Sequence, residues 1–206
     1  VRGPDSQSLY LLFTPALCTA DPWQSLGAAL DGGVDLVQWR AKQPDPEGAE
    51  RCVEICRGRG VPVIINDDVD LAVQLATQGA HVGQDDLDPR EARRRLGGGS
   101  WLGVSTHSTA QLLRAFDDGA DHVGFGPIHP TATKGYVEGQ PVGALRAAIE
   151  AAAGRPVFAI GGIRLGNLQR VLDEGCRRIA VSSAILTAPD PRRAAADLKA
   201  ALVSGR

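Results

Sequence analysis

Short apolar, β-type runs recur along this chain, each ending in polar or small residues and followed by a stretch with helical spacing. The alternation occurs eight times. The runs are Leu9 to Thr14, Asp35 to Arg40, Val61 to Asn66, Ala80 to Gln84, Trp101 to Ser105, His122 to Gly126, Pro156 to Ile160 and Arg178 to Ser182. Runs of this length, bounded by turn residues, predict buried strands. Pro62 sits near the start of its run, where a missing N–H donor is tolerated. Helices are expected over Pro22 to Asp31, Pro46 to Arg57, Val69 to Thr77 and Pro191 to Val203, with further starts at Pro89 and near Ser108 or Thr109. Asp21-Pro22 and Asp88-Pro89 place a capping carboxylate before a residue whose absent N–H the first turn would not have used. A longer loop is expected from Pro127 to about Val142. Strands alternating with helices form parallel sheets, and eight such units predict a single (β/α)8 TIM barrel over residues 1–206.

Composition narrows this picture. Barrels commonly run to about 250 residues, so a chain of 206 has short loops and no room for a second domain. Aromatics are only 4%, so aliphatic side chains must fill the core. A formal net charge of -2 gives no electrostatic case for nucleic acid or an anionic membrane. No apolar run approaches the roughly 18 residues that cross a bilayer. Val1 to Ser8 is polar and lacks the apolar core of a secretion signal. Met is absent even at position 1, which predicts a true start upstream. Cys18, Cys52, Cys56 and Cys176 form no Cys-x-x-Cys motif. Cys52 and Cys56, four apart on a predicted helix, read as small packing residues in preference to a metal pair. Together these features predict a cytoplasmic protein with reduced thiols. The oligomeric state stays open, a homo-oligomer included.

In a barrel of this kind the chemistry lies where the strands end. Gln38 and Arg40 share one face of their strand by the two-residue period, with Val37 and Trp39 on the other, and Lys42 follows. An amide and two cations there suit an anionic, hydrogen-bonding ligand. Asp67 and Asp86 close neighbouring strands, flanked by Asn66 and Asp68 and by Gln84 and Asp85. One or two carboxylates completed by substrate phosphates are a usual Mg²⁺ site. The alternative is that the two aspartates are simply neutralised by Arg40 and Lys42. Gly161-Gly162 and Ser182-Ser183 follow the last two strands, the phosphate address of many barrels. Glycines let backbone N–H groups approach an anion, though the pair also serves as a plain tight turn. Thr131, Thr133 and Lys134 in the long loop could clamp an anion, or form a solvated turn. His81 and His122 lie within strands and read as structural. His107 and His129 lie near the mouth without a Ser or Cys triad partner, so a histidine-based hydrolase is unsupported.

With these residues in view, the chain resembles the thiamine phosphate synthase family over nearly its whole length. The resemblance rests on Gln38-x-Arg40-x-Lys42, Asn66-Asp67, Gly83-Gln84-x-Asp86, Val104-Ser105, Gly126-Pro127-Ile128-x-Pro130-Thr131-x-Thr133-Lys134, Gly161-Gly162-Ile163 and Ser182-Ser183. The Gly-Pro-Ile-x-Pro-Thr-x-Thr-Lys run is the most specific of these. The resemblance implies a transferase that joins two small molecules, hydroxymethylpyrimidine diphosphate and thiazole phosphate, giving thiamine phosphate and pyrophosphate. It implies Mg²⁺ as cofactor, held by Asp67 and Asp86. Arg40, Lys42, Asn66 and Lys134 would face the diphosphate. Gln38 and Ser105 would contact the pyrimidine or stabilise its charge, and Thr131, Thr133, Gly162, Ser182 and Ser183 would bind the thiazole phosphate. Arg40, Ser105 and Lys134 are the implied catalytic groups.

Three positions depart from the family pattern: Trp39 is bulkier than usual, His129 replaces an aromatic residue and Asp68 stands where a basic residue is frequent. Two rival readings remain. One is a thiazole tautomerase, a related barrel that would dispense with the diphosphate and metal residues. The other is a non-catalytic barrel that senses a phosphorylated ligand.

Overall fold

A computed structural model of the chain describes residues 4–130 and 138–204. Eight parallel strands close into a barrel in sequence order: β1 (Leu9–Phe13), β2 (Leu36–Trp39), β3 (Val63–Asn66), β4 (Gly79–Val82), β5 (Trp101–Thr106), β6 (His122–Phe125), β7 (Val157–Ile160) and β8 (Ile179–Val181). β1 completes the ring by pairing with both β2 and β8. Around it lie α1 (Pro22–Asp31), α2 (Pro46–Arg57), α3 (Val69–Gln74), α4 (Pro89–Leu96), α5 (Thr109–Asp117), α6 (Ala144–Ala152), α7 (Leu168–Asp173), α8 (Ser183–Leu186) and α9 (Pro191–Val203). The strands are shorter than the apolar runs, because the terminal residues of each run pass into the loops. α3 stops at Gln74 instead of Thr77. Ala76 adopts a left-handed φ of 47° there, and the Thr77 hydroxyl turns back to the Ala72 carbonyl.

The Asp-Pro starts work as expected and recur. Asp21, Asp45, Asp88 and Asp190 accept backbone N–H bonds at the first turns of α1, α2, α4 and α9, each with Pro inside the first turn. Ser108 caps α5.

Strand periodicity divides the core in two. Leu11, Phe13, Val37, Trp39, Ile65, Val82, Val104 and their counterparts face the helices in one large apolar layer. Tyr10, Leu12, Leu36, Ile64, Trp101, Phe158 and Ala180 fill the barrel itself. Trp39 belongs to the outer layer, stacked parallel on Trp23 with centroids 6.1 Å apart, so its bulk faces away from the barrel interior.

The interior also holds buried polar side chains: Gln38 and His81, with His122 wholly enclosed. Gly103 makes space for both histidines. A Cβ there would lie 2.3 Å from His81 Nδ1 and 2.5 Å from His122 Nε2. Burial lowers the His122 imidazole to about 3, so it is neutral at ordinary pH.

Candidate active site at the barrel mouth

The inward face of each strand leads to one open end. A hollow there is lined by Arg40, Ser105, His107, Gly162, Ser182 and Ser183, with apolar walls from Leu12, Pro127, Ile160 and Ile163. A deeper recess continues it, sharing Leu12, Arg40, Ser105, Gly124, Ile160 and Ala180 and adding Gln38, Asn66, Tyr10 and His81. The structure therefore gathers seven of the residues named from the sequence: Gln38, Arg40, Asn66, Ser105, Gly162, Ser182 and Ser183.

Others stand apart. Lys42 is exposed beyond the end of β2 and lines neither hollow. Asp67 and Asp86 are exposed at the rim and line neither hollow. Thr131, Thr133 and Lys134 lie outside the described residues.

On the β7–β8 side the site is made mostly of backbone. Gly161 and Gly162 have φ of 99° and 60°, a region that side-chain-bearing residues rarely enter. A Cβ on Gly162 would sit 2.5 Å from the Pro130 carbonyl oxygen, so this turn and the loop after β6 touch directly. The His129 N–H donates to the Gly161 carbonyl at 3.1 Å, and Asn167 Nδ2 donates to that of Gly162 at 2.9 Å. Ser182 lines the hollow, but its hydroxyl donates to the Leu12 carbonyl at 2.9 Å. Its proton is committed to the sheet, so it can meet a phosphate through its backbone N–H. Ser183 opens α8, whose N-terminus has no side-chain cap.

The neck of the β6–α6 loop is fastened to the same side. The Gln140 N–H reaches the Pro127 carbonyl at 2.7 Å, and Gln140 Nε2 the His107 carbonyl at 2.8 Å. Arg170 donates to the carbonyls of both Ile128 and Gln140, one on each side of the loop. The buried Glu174 carboxylate accepts the N–H groups of Gly143, Leu145 and Arg146 at the start of α6. Burial and the nearby Arg170 lower His129, favouring its neutral form.

The β2–β5 side is built from side chains. Arg40 and Lys42 make no ion pair among the described residues. Asp67 has φ 63°, its N–H bonds the His81 carbonyl at 2.8 Å, and its carboxylate accepts from Asn66 Nδ2. Asp86 accepts the Gly83 N–H at 2.7 Å. Asp68 caps α3 through the Leu71 N–H, which gives this departure from the family pattern a local structural job. No group of three or more His, Cys, Asp or Glu side chains forms a metal cluster among the described residues. Asp67 directly follows β3, but Asp86 was expected to close β4 and stands four residues beyond its end at Val82; both carboxylates are hard oxygen donors of the kind Mg²⁺ takes.

Sequence reasoning missed several groups. His81 Nε2 lies 3.0 Å from Ser105 Oγ, so a residue expected to be structural holds a candidate catalytic hydroxyl. Tyr10 meets Gln38. His107, expected near the mouth, does line it, with Nδ1 2.7 Å from the Gly126 carbonyl. The signal was present: Gly103, Ser105 and His107 share one face by the two-residue period, as do Tyr10 and Leu12.

Glycine and serine pairs thus follow the last two strands of a closed (β/α)8 barrel, with cationic and amide groups opposite. Residues 9–185 match the family model described as thiamine monophosphate synthase. The chain belongs to that family. It is 45% identical over 205 residues to thiamine-phosphate synthase from Thermus thermophilus, covering 93% of this chain and 95% of the relative. It is 43% identical over 189 residues to the Geobacillus kaustophilus enzyme of the same name, covering 88% and 85%. The structure of thiamine phosphate pyrophosphorylase from Pyrococcus furiosus superposes with a TM-score of 0.86 at 28% identity, covering 97% of each chain. A 3-hexulose-6-phosphate synthase, 18% identical with a TM-score of 0.68, shares the fold alone.

Proposed function

We propose that this mouth condenses hydroxymethylpyrimidine diphosphate with thiazole phosphate, releasing pyrophosphate and giving thiamine phosphate. The observation that carries this reading is one continuous hollow joining Gln38, Arg40, Asn66 and Ser105 to Gly162, Ser182 and Ser183. Such a hollow accommodates a diphosphate-bearing ring on one side and a monophosphate on the other. The bond between the pyrimidine methylene carbon and the diphosphate oxygen breaks, and its electron pair leaves with pyrophosphate. The thiazole nitrogen lone pair then forms the new carbon–nitrogen bond. No proton has to be removed from either substrate, so the His81–Ser105 pair is not needed as a base.

Arg40, Asn66, Lys42 and Lys134 bind and neutralise the departing diphosphate. Gln38 and Ser105 hold the pyrimidine and stabilise its developing positive charge. The Gly162 turn, Ser182 and Ser183, with Thr131 and Thr133, orient the thiazole phosphate. Catalysis is then positioning together with electrostatic stabilisation of a leaving group. Asp67 and Asp86 would hold Mg²⁺, which supplies positive charge to the diphosphate oxygens when bound. The tautomerase and sensor readings leave the diphosphate-facing side without a purpose. No described helix is long and apolar enough to cross a membrane, and the four cysteines are free, features that support a cytoplasmic setting.

The test is to incubate the purified protein with both substrates and Mg²⁺ and follow thiamine phosphate and pyrophosphate. Equimolar appearance of both is expected. Isomerisation of a thiazole phosphate carboxylate without pyrophosphate release would replace this reading with the tautomerase.

A further inference from the structure

We infer that Arg170 is a positioning residue: acting through the Ile128–His129 peptide, it fixes the direction of the Gly162 N–H and so sets how tightly the β7–β8 side holds a monophosphate. The inference rests on the synthase reading, in which that monophosphate is thiazole phosphate, and adds a residue of α7 to the machinery of the site.

The peptide units concerned are trans and planar, so each carbonyl points away from the N–H of the same unit. The Ile128–His129 unit therefore has two opposed handles. Its carbonyl accepts Arg170 Nη1 at 3.0 Å, and its N–H donates to the Gly161 carbonyl at 3.1 Å. The Gly161–Gly162 unit repeats the pattern. Its carbonyl is held by His129, so its N–H, that of Gly162, is aimed the opposite way. Gly162 lines the hollow. Hydrogen bonds linked in this manner polarise one another. Glycines at φ of 99° and 60° have little steric preference of their own, so this turn takes its direction from the groups that hold it.

Arg170 holds the turn without facing the ligand. It lines neither hollow. Its Nη2 donates to the Gln140 carbonyl and its Nε to the buried Glu174 carboxylate at 3.4 Å. Glu174 also accepts three N–H groups at the start of α6, so the guanidinium is anchored from behind. A planar fork reaches two carbonyls and a carboxylate at once, whereas a lysine ammonium is a single point on a flexible stem. Charge alone does not reproduce the arrangement.

The experiment titrates thiazole phosphate and, with Mg²⁺, hydroxymethylpyrimidine diphosphate into wild type, Arg170→Gln and Arg170→Lys by calorimetry. Melting curves check each fold, and Arg170→Lys keeps a cation beside Glu174. Both variants should bind thiazole phosphate about tenfold more weakly, the loss expected for a hydrogen bond from a charged donor. Both should bind pyrimidine diphosphate as wild type does. In steady-state assays the KM for thiazole phosphate should rise with kcat little changed, and the His129 and Gly162 amide NMR signals of ligand-free protein should shift in both variants. Unchanged thiazole phosphate affinity, full rescue by Arg170→Lys, or equal weakening of both substrates would overturn the inference. Wild type that binds thiazole phosphate but releases no pyrophosphate would sink the synthase reading alone, with the affinity comparison still deciding the role of Arg170. Failure of wild type to bind thiazole phosphate would sink both.

Discussion

On the β7–β8 side of the mouth, the polar groups are mostly backbone, held by left-handed glycines, with loop carbonyls pressed against them. On the β2–β4 side they are charged side chains, exposed or partly exposed, and the two cations make no ion pair among the described residues. The first side is set by the fold and costs nothing to organise when a ligand arrives. The second carries separated charges in water, where each gains little until a polyanion draws them together. A monophosphate that must be oriented suits the rigid side. A diphosphate that must be carried away suits the side whose charges are free to follow it.

The charged side should be the more sensitive in rate. Asp86→Ala is expected to abolish measurable turnover, a loss of at least about 10²–10³, with melting little changed because Asp86 is exposed and makes one turn bond to Gly83. Asp67→Asn is the matching variant at the other carboxylate, since Asn tolerates the left-handed backbone there. Full activity of the double variant, or of wild type in chelator, would remove the metal from the account. Lys134→Ala should lower turnover by about 10²–10³ if it meets developing charge on the diphosphate, as steady-state pyrophosphate release would show.

Gly162→Val probes the rigid side and should act on affinity. The variant strains a φ of 60° and drives a Cβ toward the Pro130 carbonyl. Thiazole phosphate binding should weaken about tenfold or more while stability falls by about 1–3 kcal/mol. Unchanged thiazole phosphate affinity by calorimetry would take the turn out of the site.

The smallest effect concerns the floor beneath both sides. His122 titrates near 3 when folded against 6.5 ordinarily, so the unfolded chain binds the extra proton between those values. Stability should therefore decline as pH falls from about 6.5 toward 3, and His122→Leu should flatten that slope in urea titrations across the window. An identical slope would mean that other groups set the acid sensitivity.

Much of this was legible in the sequence. The eight strand-like runs gave the barrel, and the glycine and serine pairs after the last two strands placed the rigid side. These features are local: a period, a turn residue, a cap. Gln38 and Arg40 were placed inward correctly because the period of a strand fixes its faces. The pairing of Tyr10 with Gln38 and of His81 with Ser105 was hidden, since it depends on barrel register between residues 28 and 24 positions apart. The exposure of Lys42 was hidden too, because the direction of a chain leaving a strand is not written in its spacing. The interior space for two histidines depended on Gly103, whose meaning appears only once β4, β5 and β6 are side by side.

The division between the two sides is tested most directly by titrating each substrate alone into wild-type protein, with Mg²⁺ and with chelator, by calorimetry. Thiazole phosphate should bind with the same affinity in both buffers, and pyrimidine diphosphate should bind only with Mg²⁺. Equal dependence of the two ligands on Mg²⁺, or independence of both, would contradict the account.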